Sequence, residues 1–86
     1  MLELTYAPIF IKEFKKLEAF LQEEVKEKIE LFKDSSNHKQ LRVHKLKGPM
    51  KDRYSFSVSY SFRVVFSYAS KTRVNILSLG DHDIYD

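Results

Sequence analysis

The stretch RYSFSVSYSFRVVFSY, residues 53–68, constrains the fold of this chain more than any other. It contains two runs rich in β-branched and aromatic residues, RYSFSVS and FRVVFSY, which meet near Tyr60. Such residues favour strands, and successive side chains of a strand point to opposite faces. The stretch therefore predicts a β-hairpin whose two faces differ in polarity.

The register of this hairpin follows from the requirement that its apolar residues share one face. A loop of residues 59–61 sets apolar residues opposite each other: Val58 with Phe62, Phe56 with Val64, and Tyr54 with Phe66. The other face then carries Arg53, Ser55, Ser57, Arg63, Val65 and Ser67. A shorter loop would set Arg63 opposite Phe56 and mix the two faces, so we expect the longer one.

Residues 8–33 show the spacing of an amphipathic helix, with apolar side chains at Phe10, Phe14, Leu17, Leu21, Val25, Ile29 and Phe32. Pro8 suits the first helical position, where its missing N–H leaves no bond unmade. A straight helix over this range would be about 39 Å long. A chain of this size has a radius of gyration of about 12 Å. We therefore expect a helical hairpin that breaks near Leu17–Phe20 and ends at DSSNH.

Further stretches predict the remaining strands. LELTY opens the chain with alternating apolar and polar residues, and LRVHKL predicts a short strand before a turn at Gly48–Pro49. RVNILSL, residues 73–79, is apolar on both faces, which is typical of an interior strand. The predicted fold class is α+β in the order β-α-α-β-β-β, with the helical hairpin packed on one face of a small, mostly antiparallel sheet. We expect the other face of that sheet to be polar and basic.

Length and composition limit what such a fold can do. A chain of 86 residues predicts one domain, 1–86, whose site lies on a face or in a shallow cleft. Cysteine is absent, which excludes disulfides and thiolate chemistry and suits a reducing cytoplasm. No apolar run approaches the ~20 residues that span a bilayer, and MLELTYAP lacks the features of a signal peptide. We expect a cytoplasmic protein with no membrane partner.

Positive charge is concentrated in residues 38–53, HKQLRVHKLKGPMKDR. This window holds six Lys or Arg residues against one Asp, a larger excess than the +3 of the whole chain. Such a patch attracts a polyanion and steers its approach. A solvated basic loop is the alternative, but the two histidines and the embedded Gly-Pro favour a polyanionic partner.

Arg63 and His44 are the first candidates for chemistry. Arg63 lies mid-strand on the polar side of the hairpin, where its planar guanidinium suits a phosphate; a surface arginine is the alternative. The lysines that follow His44 favour a neutral imidazole able to accept a proton, and an ordinary surface histidine is the alternative. The basic side chains that either contact RNA or are simply solvated are Lys45, Lys47, Lys51 and Arg53.

The segment LGDHDIYD holds the remaining candidates. Asp81 and Asp83 flank His82, and carboxylates favour the protonated, proton-donating form of a histidine. The alternatives are a solvated histidine or a metal cluster formed by these residues with Asp86. Adjacent side chains cannot all converge on one ion, so we expect neither a metal nor a cofactor. Tyr85 either anchors the chain or stacks on a base.

Together these residues can cleave RNA without a metal. A neutral imidazole takes the proton of a 2′-hydroxyl, the oxygen attacks the adjacent phosphate, and a protonated imidazole supplies the departing 5′-oxygen with a proton. Guanidinium and ammonium groups stabilise the charge that develops at phosphorus. DNA lacks the 2′-hydroxyl, so such a site would act on RNA alone.

The order of the motifs resembles a known family. HKLKG at 44–48, RYSFSVSYSFRVVFSY at 53–68 and ILSLGDHDIY at 76–85 are similar to the RelE/ParE superfamily of type II toxins, in particular to its YafQ/YoeB-like mRNA interferases. The opening YAPIFIKEFKKL resembles their strand-to-helix entry, so the resemblance spans the whole chain. It implies a RelE-like fold of the microbial RNase type and cleavage of mRNA, in many members at the ribosome. It also implies a cognate antitoxin, with which the toxin forms a hetero-oligomer.

Motif by motif, the resemblance implies catalytic roles for His44, Lys47, Arg63, His82 and Tyr85. Arg63 clamps the phosphate and His82 is the general acid, while His44 and Lys47 are the base or its electrostatic support. Tyr85 stacks on or orients the RNA, although HDIY places it one position earlier than the family's usual spacing. A ParE-like DNA gyrase inhibitor and a non-catalytic RNA-binding relative are the alternatives, and the retained histidines favour the endoribonuclease.

Overall fold

The computed structural model describes residues 1–48, 52–59 and 61–81 of the chain. In chain order its elements are β1 Glu3–Tyr6, α1 Pro8–Lys15, α2 Ala19–Phe32, β2 His44–Lys45, β3 Tyr54–Ser57, β4 Phe62–Tyr68 and β5 Arg73–Asp81. A short 3-10 helix, Ser35–Asn37, follows α2. Within the described ranges, the helices are too short or too polar to cross a membrane.

The predicted helical hairpin is present, and it breaks at residues 16–18. Pro8 is the first residue of α1, where a proline is tolerated because the N–H it lacks would have no partner. At the break, the Gln22 side chain donates to the Phe14 carbonyl at 3.0 Å, and Glu18 adopts an extended backbone. The Gln22 side chain thus adds to the bond that the Leu17 N–H makes with the same carbonyl at 3.1 Å, and the chain turns there without a glycine or proline.

The segment DSSNH ends the helical region as predicted. The Asp34 carboxylate accepts hydrogen bonds from the Ser36 N–H at 3.0 Å and from the Ser36 hydroxyl at 2.8 Å. These bonds favour the ionised carboxylate and lower the pKa of Asp34, the backbone N–H contributing most. His38 then turns back onto the end of α2, where its Nε2 lies 2.8 Å from the Phe32 carbonyl.

Across the described residues, the strands form one five-stranded sheet in the order β1-β5-β4-β3-β2. β1 pairs with β5 in parallel, and the other pairs are antiparallel, which confirms a mostly antiparallel sheet. β5 has strands on both sides, as its two-sided apolar pattern predicted. β2 is the short strand predicted in LRVHKL. Within the described residues four strands follow the helices, one more than the predicted order β-α-α-β-β-β contains.

The hairpin register predicted from residue alternation is confirmed. Tyr54 pairs with Phe66 and Phe56 pairs with Val64, while the Val58 N–H donates to the Phe62 carbonyl at 2.9 Å. Between β4 and β5 the register shifts at a bulge next to Val65 and Phe66. A bulge changes the direction of the strand that contains it. This bulge precedes the last residues of β5.

The helices cover the apolar face of the sheet, and Phe32 is at the centre of the core. Its fully buried ring lies 4.5 Å from the Phe56 ring and 4.7 Å from the Phe66 ring, measured between centroids. The His38 ring stacks on it from another side, at 4.7 Å and an angle of 10°. This aromatic cluster holds α2 against β3 and β4.

The opposite face of the sheet is only partly exposed. Val65 and Leu46 are buried there, apart from the main core, and Ser55 is also fully buried. The face expected to be polar and basic is therefore accessible over only part of its area. That part includes His44 and Arg63, at the end of the sheet where β3 leads into β4.

Candidate active site

A groove of about 950 Å³ opens at this end of the sheet. Ser57 of β3 pairs with Arg63 of β4 at its floor, and β5 reaches the groove at Asp81. One residue of α2 and the segment that leads into β2 complete its walls. The side chains in it that carry chemistry are Lys28, Arg42, His44, Ser57, Arg63 and Asp81.

His44 and Arg63 meet in this groove although they are 19 residues apart in the chain. Arg63 Nη1 lies 3.4 Å from His44 Nε2, and His44 Nδ1 lies 3.0 Å from the Arg42 carbonyl oxygen. A carbonyl oxygen only accepts hydrogen bonds, so Nδ1 carries the proton and donates it, and Nε2 is the acceptor. In this arrangement Nδ1 faces a carbonyl, and Nε2 lies beside a guanidinium.

Strand pairing explains why these two side chains share a side of the sheet. His44 pairs with Ser55 across β2 and β3, and Ser57 pairs with Arg63 across β3 and β4. Residues two apart along a strand point to the same face, so all four side chains lie on the face opposite the helices. Arg63 is half-buried, whereas His44 is exposed. Arg63 therefore lies deeper in the sheet than His44, whose imidazole is open to solvent.

Positive charge dominates the described part of the groove. Lys28, Arg42 and Arg63 contribute cations, and Asp81 contributes a carboxylate. A concave surface with an excess of one charge raises the local concentration of ions of the opposite charge. This groove is therefore suited to a phosphate, with a hydrogen-bond acceptor, His44 Nε2, placed next to the phosphate-binding group.

Not all of the predicted site residues meet here. The described ones that are exposed but do not line the groove are Lys45, Lys47 and Arg53. The ones that lie outside the described residues are Lys51, His82 and Tyr85. Asp81, the residue directly before His82, ends β5 at the groove. The roles proposed for His82 and Tyr85 stay predictions.

The structure also adds residues that the sequence patterns did not single out. Lys28 lies on α2 and resembles the other lysines of its solvent face, so nothing in the helical pattern marks it. Its place in the groove depends on how α2 crosses the sheet. Arg42 counted only as part of the basic window, yet its carbonyl orients His44 and its side chain lines the groove.

No protein-family model matches the sequence, and no curated protein matches it significantly. Solved structures are similar to it. HP0894 from Helicobacter pylori is 24% identical with a TM-score of 0.72, covering 96% of this chain and 97% of that one. YafQ from E. coli strain BL21(DE3) is 13% identical with a TM-score of 0.74, covering 98% and 97%. A chain of the YoeB–YefM toxin–antitoxin complex from Staphylococcus aureus is 17% identical with a TM-score of 0.73, and the match covers 95% of this chain and 98% of that one.

These likenesses extend over nearly the full length of both chains in each comparison. The chain has the fold of the RelE/YafQ/YoeB-type toxins, with two helices packed against a five-stranded mixed sheet. This confirms the RelE-like architecture that the motifs implied.

Proposed function

We propose that this protein is the toxin of a type II toxin–antitoxin system and that it acts as an endoribonuclease, an mRNA interferase of the cytoplasm. The observation that carries the proposal is the contact between His44 Nε2 and Arg63 Nη1, 3.4 Å apart in a cationic groove. A proton acceptor beside a phosphate-binding guanidinium suits attack by a 2′-hydroxyl on the neighbouring phosphate. The fold shared with YoeB supports the toxin class.

In the proposed reaction His44 is the general base. Its Nε2 takes the proton of the 2′-hydroxyl, the O2′–P bond forms, and the P–O5′ bond breaks. The products are a 2′,3′-cyclic phosphate and a 5′-hydroxyl, whose proton comes from an acid. We assign that acid to His82, support of the base to Lys47, and stacking on the RNA to Tyr85, each by motif.

Arg63 changes partners in this scheme. In the free protein it donates to His44 Nε2 and so occupies the lone pair that must take the proton. A guanidinium binds phosphate through two parallel hydrogen bonds, which are stronger than one bond to a neutral imidazole. An entering phosphate therefore draws Arg63 away and exposes Nε2.

The rest of the RNA backbone would follow the positive charge. Lys28 and Arg42 extend the cationic surface on one side of the His44–Arg63 pair. Lys45, Lys51 and Arg53 are proposed as outer contacts with RNA. An open groove restrains its substrate weakly, and positioning accounts for much of the rate of such reactions. We therefore propose that the ribosome presents the mRNA to the groove.

A cognate antitoxin is the proposed partner, in a hetero-oligomer with the toxin. The S. aureus protein of the same fold is in a complex with YefM. An acidic antitoxin segment would bind the cationic groove by charge. By covering His44 and Arg63, it would exclude RNA. A helical segment would instead find an apolar hollow of about 410 Å³ beside α1 and α2, with Phe10, Phe14 and Ile29 in its lining.

Expression in growing bacteria tests the proposal. Wild type should arrest growth and leave cut mRNA, and His44→Ala and Arg63→Ala should permit growth at equal protein level. The matched control is Arg73→Ala, which removes an arginine that is 68% exposed at the far end of β5 and should stay toxic. Full toxicity of both His44→Ala and Arg63→Ala would contradict the nuclease proposal.

The same cultures distinguish the alternatives. Gyrase-linked DNA damage with intact mRNA indicates a ParE-like inhibitor. Harmless expression together with RNA binding that weakens steeply with salt indicates a non-catalytic RNA-binding protein, because phosphate contacts release counterions.

A further inference from the structure

We infer that the backbone of Arg42 is a positioning element for His44, because its left-handed conformation holds the carbonyl that fixes the His44 tautomer. Arg42 has a φ of 57°, and within the described residues it is the one non-glycine residue with positive φ. Side chains crowd the backbone in this region, so glycine is its usual occupant. An arginine kept in this conformation beside a candidate active site suggests that the conformation serves the site.

Hydrogen bonds define the turn that requires this conformation. The Val43 N–H donates to the His38 carbonyl, and the Arg42 N–H donates to the Lys39 carbonyl, each at 3.1 Å. Together these bonds form a Schellman motif, in which the residue at the Arg42 position is left-handed. The turn therefore requires a left-handed residue at this position, and how easily a residue adopts that conformation depends on its side chain.

The core fixes this turn from its other side. The Leu41 side chain is 3% exposed and belongs to the core, and the Leu41 carbonyl accepts the Ser57 N–H at 2.8 Å. Arg42 follows directly, so it has little freedom to relax to a negative φ. Its own carbonyl is held 3.0 Å from His44 Nδ1.

The tautomer of His44 follows from that carbonyl. The hydrogen bond made by one ring nitrogen decides which nitrogen carries the proton. With Nδ1–H donating to Arg42, Nε2 is left as the acceptor that Arg63 meets at 3.4 Å. If Arg42 relaxed, the proton could move to Nε2, which could then take no proton from a 2′-hydroxyl. The effect on cleavage rests on the proposed function, whereas the tautomer does not.

Substitutions of Arg42 separate its side chain from its backbone. Arg42→Gly removes the guanidinium and keeps a residue that adopts positive φ readily. Arg42→Val removes the same guanidinium and disfavours positive φ, because it is β-branched. The difference between the two variants therefore reports the backbone alone. Arg42→Ala disfavours the conformation more weakly and serves as the second variant if the valine protein does not fold.

Nitrogen-15 NMR of the histidine rings at about pH 8, above the ordinary histidine pKa of about 6.5, reads the tautomers directly. The wild type should show His44 as Nδ1–H. His38 is the internal reference and should be Nε2–H, since its Nε2 lies 2.8 Å from the Phe32 carbonyl. Arg42→Gly should keep this pattern. Arg42→Val, or Arg42→Ala to a smaller extent, should move His44 toward Nε2–H and leave His38 unchanged.

RNA cleavage by the same proteins completes the test. The valine variant should cleave at least about tenfold more slowly than the glycine variant, because a wrong tautomer disables a general base. Retention of Nδ1–H at His44 in both the valine and the alanine variants, or its loss in the glycine variant, would overturn the inference. If the tautomers behave as expected while the wild type cuts no RNA, the inference stands and the proposed function fails.

Discussion

The two faces of the β3–β4 hairpin alternate residue by residue, yet one packs the core and the other lines the groove. On the first face, Phe56, Val64 and Phe66 are fully buried beneath α2. On the second, Ser57 and Arg63 pair across the strands at the floor of an open groove. One backbone layer separates the two environments. A strand thereby anchors a reactive side chain through the burial of its neighbours.

This separation has a consequence for substitutions. A change on the core face should alter the free energy of unfolding. A change at Ser57 or Arg63, which line the groove on the other face, should alter the reaction with little effect on stability. Arg63 illustrates the point, because Val64 next to it is fully buried on the other side of the same strand. Substitutions on the two faces measure how completely stability and reactivity separate.

Phe32→Ala should produce the largest effect, on the core side. The ring is fully buried among other aromatic rings, so its removal leaves a cavity and should lower the free energy of unfolding by about 3–5 kcal/mol. Urea denaturation measures this change in the free energy of unfolding. Phe20→Ala is the control, since Phe20 is 64% exposed and its loss should change that energy by less than about 0.5 kcal/mol. Equal losses of unfolding free energy in Phe32→Ala and Phe20→Ala would show that Phe32 is not at the centre of the core.

Arg63→Ala should produce the next largest effect, on the groove side. Loss of a group that stabilises developing charge typically lowers the rate by about 10²–10³-fold. The free energy of unfolding should stay within about 1 kcal/mol of wild type. Arg63→Lys should restore only part of the rate, because a lysine keeps the charge without the planar fork. Unchanged cleavage by a destabilised Arg63→Ala protein would reverse the assignment of this face.

Lys28→Ala should have a smaller effect, confined to RNA binding. A lost phosphate contact weakens binding to all sequences alike and lowers the salt slope of the affinity by about one unit. Fluorescence titration at several salt concentrations measures that slope. The control is Lys26→Ala on the same helix, a lysine that is 61% exposed and does not line the groove. Identical slopes for both variants would remove Lys28 from the RNA path.

Asp34→Asn should have the smallest effect, on the helical side. Hydrogen bonds from Ser36 lower the pKa of Asp34 in the folded protein. Its contribution to stability is therefore complete above the unfolded pKa of about 3.9 and is lost as pH falls through the folded value. The Tm of the variant should decline less steeply than that of wild type between about pH 5 and pH 2. Cleavage at neutral pH should not change, and parallel Tm curves would contradict this role.

The hairpin was predictable because its signal is local. Phe56 and Val58 alternate with serines on the first strand, and Arg63 and Val65 point away from the apolar face on the second. One register places the apolar side chains of both strands together, and the structure has that register. The helical hairpin was predictable from its length, but the atoms that end α1 were not. A hydrogen bond from Gln22 to the Phe14 carbonyl leaves no pattern in the sequence.

The site was less predictable because it depends on contacts between distant residues. His44 and Arg63 could each be chosen by residue type, yet their contact follows from the pairing of β2, β3 and β4. Lys28 reaches the groove only through the packing of α2. The left-handed backbone of Arg42 was invisible for another reason, since the turn imposes on an arginine the conformation that would ordinarily indicate a glycine.

Cleavage of a defined mRNA by the purified protein on programmed ribosomes tests the proposed reaction most directly. Wild type should leave a 2′,3′-cyclic phosphate, a single 2′-deoxy nucleotide before the cut phosphate should block the cut, and His44→Ala should be inactive. Cleavage of the 2′-deoxy substrate at the wild-type rate, or undiminished cleavage by His44→Ala, would contradict it.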